Sequence, residues 1–72
     1  MDDYKTITEI ARKVIPFLSQ KGILLTPKNY RIWFEYFHGV MPDIKEILDD
    51  MLSMGIQFTS KKNEELYARF FE

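Results

Sequence analysis

The sequence predicts an all-α protein, a small bundle of four short helices around a central aromatic-rich helix, and three observations lead there. Apolar residues recur at i, i+3, i+4 and i+7 along four separate segments, the spacing that gathers them on one side of a helix. The three glycines, Gly22, Gly39 and Gly55, each close one of these segments, where a residue in the left-handed conformation commonly ends a helix. No stretch alternates apolar and polar residues in the period of a strand. No internal repeat or low-complexity tract is expected.

The first segment places Ile7, Ile10, Ala11, Val14, Ile15 and Leu18 on one core stripe. Thr6 and Glu9 have the spacing of a capping box, with Asp3 as the alternative start. Pro16 predicts a kink or a break, because its ring clashes with the carbonyl of Arg12 and one hydrogen bond goes unmade. After Gly22, the connector Ile23-Leu24-Leu25 is expected to pack down over the core.

The second segment carries the most information. Thr26 is a good N-cap, and Pro27 fits the first helical position, where its missing N–H has no intrahelical partner to lose. At about 100° per residue, Lys28, Arg31, Glu35 and His38 share one narrow polar stripe, while Tyr30, Ile32, Trp33, Phe34, Tyr36 and Phe37 cover most of the remaining circumference. A helix so apolar belongs at the centre, with neighbours on at least two sides.

Pro42 opens the third segment, in which Ile44, Ile47, Leu48, Met51 and Leu52 repeat the helical spacing before Gly55. Thr59 or Ser60 caps the fourth, where Leu66, Tyr67, Phe70 and Phe71 form adjacent i, i+4 pairs. The expected core comprises Tyr30, Trp33, Phe34, Phe37, Ile47 and Leu48. Phe70 and Phe71 point about 100° apart, so Tyr67, Phe70 and Phe71 together are the candidate interface. The chain ends at Glu72 without a helix stop signal, and the expectation is a cut helix and a fragment of a longer protein.

Composition limits the alternatives. With 72 residues the chain forms one domain, 1–72, whose core yields roughly 3–5 kcal/mol of net stability. It has no cysteine, so neither a disulfide nor a thiolate metal site can add to that. Weak homodimerisation is the expected supplement, since 46% of the chain is hydrophobic. A net charge of −1 provides no basic field for phosphates and argues against nucleic acid as a partner. The acidic opening lacks the layout of a signal peptide, and no apolar run has the length of a membrane span. A cytoplasmic location without membrane insertion is the expectation.

No catalytic or metal-binding constellation is assigned. His38 is the single histidine, so a histidine metal cluster or a Ser-His-Asp arrangement has nothing to build from. At the last turn of its helix it is read as a partner for the helix dipole. Asp43, Glu46, Asp49 and Asp50 are read as a solvated face opposite Ile47 and Leu48. The glycines are too dispersed for a phosphate loop. Arg31-Ile32-Trp33-Phe34 superficially resembles the recognition helix of a homeodomain, but the basic cluster and the Asn that should follow the aromatic pair are absent. Asn29 is polar within an apolar arc; it is read as a local cap or a bond to the connector, and alternatively as the mouth of a small polar pocket with the Tyr30 and Tyr36 hydroxyls.

Several patterns agree in pointing to one family. Thr26-Pro27-x-Asn29-Tyr30-x-x-Trp33-Phe34-x-Tyr36-x-x-Gly39, followed by Pro42, resembles the helical segment upstream of the catalytic domain in bacterial GGDEF-type diguanylate cyclases. Val14-Ile15-Pro16-Phe17-Leu18, Ile47-Leu48-x-x-Met51-Leu52, Gly55-x-x-Phe58-Thr59 and Leu66-Tyr67-x-x-Phe70 extend the resemblance over nearly the whole chain. Met41 departs from it, standing where the family often has Asn or Asp to cap the next helix.

The resemblance implies a non-catalytic N-terminal regulatory or dimerisation module. Its partners would be a second copy and a downstream catalytic domain that joins two GTP molecules into cyclic di-GMP with Mg²⁺. The chain itself lacks a Gly-Gly-Asp/Glu-Glu-Phe motif, so it is expected to hold neither GTP nor metal and to catalyse nothing. A stand-alone protein-interaction domain docking through Tyr67, Phe70 and Phe71 is the alternative.

Overall fold

The computed structural model describes residues 3–72, and Met1-Asp2 of the acidic opening lie outside it. Four α-helices follow in order: α1 (Tyr4–Lys21), α2 (Pro27–His38), α3 (Pro42–Ser53) and α4 (Ser60–Phe71). They form the small all-α bundle expected. α2 is its axis: α1 packs on one side, and α3 and α4 pack on the others.

Each helix begins where local chemistry allows. Asp3 rather than Thr6 caps α1, its carboxylate accepting from the Thr6 N–H at 2.9 Å. That bond holds the Asp3 carboxyl below the usual carboxylate range. Thr26 caps α2 by accepting from the Asn29 N–H, and Thr59 caps α4 by accepting from the Lys62 N–H, both at 3.1 Å. Met41 precedes α3 with no side-chain bond, as its thioether predicts. α1 runs unbroken through Pro16, so the expected break does not occur. Pro16 and Arg12 both lie on the solvent side, where a carbonyl deprived of its helical donor can turn to water at little cost.

The core contains Ile10, Val14, Leu18, Ile23, Ile32, Trp33, Ile44, Leu48, Phe58 and Leu66. Trp33 is fully enclosed at 0% exposure. Its ring lies 4.7 Å from Phe17 of α1, 5.1 Å from Phe58 of the α3–α4 connector and 5.3 Å from Tyr36. Leu48 is equally enclosed, whereas Tyr30, Phe34, Phe37 and Ile47 are half-buried at the margin.

Two apolar elements are less covered than their patterns imply. Ile7 and Ile15 remain 41% and 48% exposed, because α1 has only α2 as a main neighbour and one helix covers only a narrow stripe. In the connector Ile23 is buried, but Leu24 and Leu25 are 67% and 58% exposed. The Leu24 carbonyl turns inward to accept from the Thr26 N–H and from Asn29 Nδ2, both at 2.9 Å, which leaves the leucine side chains outside.

The two hairpins are closed by the same turn, a repetition that sequence periodicity did not reveal. After α1, Gly22 has φ +70°, its N–H bonds to Ser19 O, and the Ile23 N–H bonds to Leu18 O. After α3, Gly55 has φ +70°, its N–H bonds to Leu52 O, and the Ile56 N–H bonds to Met51 O. Both are Schellman closures, and each is followed by a capping threonine, in Gly22-Ile23-x-x-Thr26 and Gly55-Ile56-x-x-Thr59. The apolar positions inside the helices do not follow the repeat, because α2 is enclosed and α4 is not.

Candidate functional site

The residues singled out from the sequence fall into three regions around α2. The first is the seam with α4. Lys28 Nζ stands 5.0 Å from the Tyr67 ring centre, and the Arg31 guanidinium 4.1 Å from that of Phe71. Arg31 also donates to the Tyr67 hydroxyl at 3.3 Å. Moving from Lys28 to Arg31 advances the contact from Tyr67 to Phe71, so the two helices run in the same direction. The polar stripe of α2 is therefore not wholly solvated: two of its cations lie on the aromatic ladder of α4, where the ring quadrupole attracts them.

This arrangement bears on the candidate interface. Tyr67, Phe70 and Phe71 are half-buried, with Tyr67 and Phe71 5.1 Å apart beneath the α2 cations. Phe70 packs edge-on against Phe71 at 6.1 Å and also borders an open groove of about 540 Å³, lined with Met41, Asp43, Ile44, Glu46, Ile47 and Arg69.

The second region is a cleft of about 460 Å³ where the first turns of α2 and α4 meet, lined by Thr26, Lys28, Asn29, Ser60, Asn63 and Glu64 among others. Asn29 bonds back to the connector through Nδ2, in agreement with the plainer of its two expected roles. Asn63, not singled out from the sequence, does the same towards Phe58 O at a longer 3.4 Å. Its burial is nearly complete at 3% exposure, and its Oδ1 has no partner among the described residues. The available signal was its place four residues after a capping threonine at a repeated turn.

The third region joins α2 to α3. The Tyr36 hydroxyl donates to Asp49, which also accepts from Lys45 at 3.0 Å, and Lys45 lies 4.9 Å from the Tyr36 ring centre. Burial, then the bond to Asp49 and its charge, push the Tyr36 hydroxyl up to about 12. The Tyr36 bond and then Lys45 hold the Asp49 carboxyl below its usual range. One of the four acidic residues is thus occupied in holding helices together, while Asp43, Glu46 and Asp50 are exposed.

Asn29, Tyr30 and Tyr36 do not converge on one pocket. Asn29 lines the cleft, Tyr30 lines an apolar notch with Ile15 and Leu25, and Tyr36 faces α3. Asn29 and Tyr36 are two turns apart, about 10.5 Å along the axis, which is too far for both to hold one small group. His38 lies 3.3 Å from Glu35 in the same helix. Among the described residues no group of three or more His, Asp or Glu is placed to hold a metal ion, and no helix is long and apolar enough to cross a membrane.

Comparison with known proteins adds one relation. The chain is 26% identical over 69 residues to the diguanylate cyclase VdcA of Vibrio cholerae serotype O1. The match covers 96% of this chain and 20% of that cyclase, so the chain spans about a fifth of its relative's length. No family model matches. No solved structure matches either. The similarity suggests a relation to diguanylate cyclases. A chain of 72 residues is too small to hold a catalytic GGDEF domain, and the partial match fits a non-catalytic piece.

Proposed function

We propose that this chain is the non-catalytic regulatory and dimerisation module of a bacterial cytoplasmic diguanylate cyclase, lying N-terminal to the catalytic domain. The observation that carries the proposal is the similarity to a cyclase along almost the whole of this chain and only 20% of the relative. The fold agrees with it, being a helical bundle whose last helix is anchored through Arg31 and Lys28 to the central one. The metal and GTP chemistry belongs to the catalytic domain. The module acts by setting the distance and angle between two such domains, and α4 is the lever.

The first test is the reading frame after Glu72, where a Gly-Gly-Asp/Glu-Glu-Phe motif is expected and an immediate stop would overturn the proposal. The second measures cyclic di-GMP synthesis by the full-length protein. One residue inserted after Glu72 turns the downstream domain by about 100° if the helix continues, whereas seven nearly restore the phase. The single insertion is expected to disturb output more. Equal output from both insertions and the unaltered protein would leave the chain a docking domain.

A further inference from the structure

Because α2 and α4 run in the same direction, the positive ends of two helices lie side by side, at the cleft of about 460 Å³ between their first turns. Pro27 and Ser60 are the first residues of these helices, so the N–H groups of Lys28 and Ser60 meet no carbonyl inside their own helices. The capping threonines accept from Asn29 and Lys62 instead.

The second observation is independent of the helix ends. Asn63 lines the same cleft with 3% of its surface exposed. Its Nδ2 is turned back to the Phe58 carbonyl, so Oδ1 is the end of the amide directed towards the cleft, and it accepts from no described residue. A buried acceptor without a donor is unfavourable. The bond that holds the amide is long, at 3.4 Å, so a small turn about χ2 is enough to offer Oδ1 to a donor in the cleft.

We propose that this cleft binds a free α-amino acid with an apolar side chain. The Lys28 and Ser60 N–H groups, one from each helix, each take one carboxylate oxygen in the field of the two helix ends. Asn63 Oδ1 and the Glu64 carboxylate accept from the ammonium; Glu64 lines the cleft and forms no ion pair among the described residues. Leu24, 67% exposed, and Pro27 form the apolar wall for the side chain. A zwitterion satisfies all of these groups. Phosphate satisfies only the helix ends, and it sets its charge against Glu64 and its acceptor oxygens against Oδ1. The inference goes beyond the cyclase reading and does not depend on it. A bound amino acid clamps the start of α4 to the start of α2.

Amide resonances of the isotope-labelled chain test this, with L-leucine as the probe. At about 10 mM ligand a site with a Kd of about 1 mM is about nine-tenths filled. Saturable shifts are expected there in the Lys28, Ser60 and Asn63 amides and in the Asn63 side-chain NH₂ group, and the thermal midpoint should rise with leucine concentration. N-acetyl-leucine lacks the ammonium and leucinamide lacks the carboxylate, and each should bind about tenfold or more weakly. Asn63→Leu removes the acceptor and should weaken leucine binding by about tenfold or more, with circular dichroism checking the fold. Glu64→Gln alters an exposed position and keeps the test available if the first variant does not fold. It should weaken leucine but leave N-acetyl-leucine unchanged.

Leucine that moves none of these amides overturns the proposal. So does inorganic phosphate that moves them as strongly as leucine, or leucine binding that both substitutions leave unchanged. None of these outcomes bears on the cyclase reading, which the reading frame after Glu72 decides separately.

Discussion

Replacing Trp33 with alanine should unfold most of this protein at physiological temperature. The indole is 0% exposed and touches rings from α1, its own helix and the α3–α4 connector, so no neighbour can relax into the space without leaving another. Truncations of this kind cost about 3–5 kcal/mol, and a domain of this size has about 3–5 kcal/mol in total. A midpoint falls by about 4–8 °C per kcal/mol in small domains, which puts the loss at about 12 °C or more. Trp33→Phe is the informative control. The indole Nε1 has no hydrogen-bond partner among the described residues, so phenylalanine forfeits volume but no bond and should cost less than half as much. Far-UV circular dichroism against temperature measures both. An alanine variant with the helical signal and midpoint of the unaltered chain would refute the placement of α2 at the centre.

Other consequences are smaller and separable. Thr59→Ala removes the acceptor for the Lys62 N–H and should lower stability by about 1 kcal/mol, read as a midpoint shift of about 4–8 °C; no shift would show that α4 frays at its start. Arg31→Ala should cost up to about 1 kcal/mol through the lost contact with Phe71, and hydrogen exchange should show faster opening confined to α4. The Tyr36–Asp49 bond predicts stability limits at both ends of the pH scale. The lowered Asp49 carboxyl contributes stability above the ordinary carboxylate range, and this is lost as pH falls through its depressed value. The raised Tyr36 hydroxyl contributes fully below its ordinary value of 10.0, and this is lost as pH rises through about 12. Tyr36→Phe should flatten the alkaline limb of the stability profile, and an unchanged limb would contradict the bond.

The helices were legible because their ends are marked by chemistry that acts locally. Thr26, Pro27, Gly22, Gly39 and Gly55 need only their nearest neighbours to stop or start a helix. Which sides of a helix become covered is a different matter, decided by how many neighbours it acquires. Ile7 and Ile15 have the same periodicity as Ile10 and Val14, and only the number of helices packed on α1 distinguishes them. Pro16 does not end α1 for a related reason, since the cost of a freed carbonyl depends on whether that side meets water. The contacts of Lys28 and Arg31 with α4 were not legible, because a cation on a polar stripe and a cation over a ring have the same local sequence.

The central position of α2 determines how this molecule transmits force. α1 joins the core through Ile10, Val14 and Leu18, with Phe17 against Trp33 and Phe37, while α4 joins it through Leu66 and carries Lys28 and Arg31 of α2 on its rings. A push on α1 therefore reaches α4 chiefly through α2, a helix of twelve residues. The sensitivity of such a linkage is set by its softest joint. The joint on the α1 side is apolar and centred on the buried Ile10, Val14 and Leu18, whereas the joint on the α4 side adds long cations on half-buried rings to the single buried Leu66. Substitutions at Lys28 and Arg31 should accordingly tune how much of a displacement arrives, and substitutions at Phe17 whether it starts.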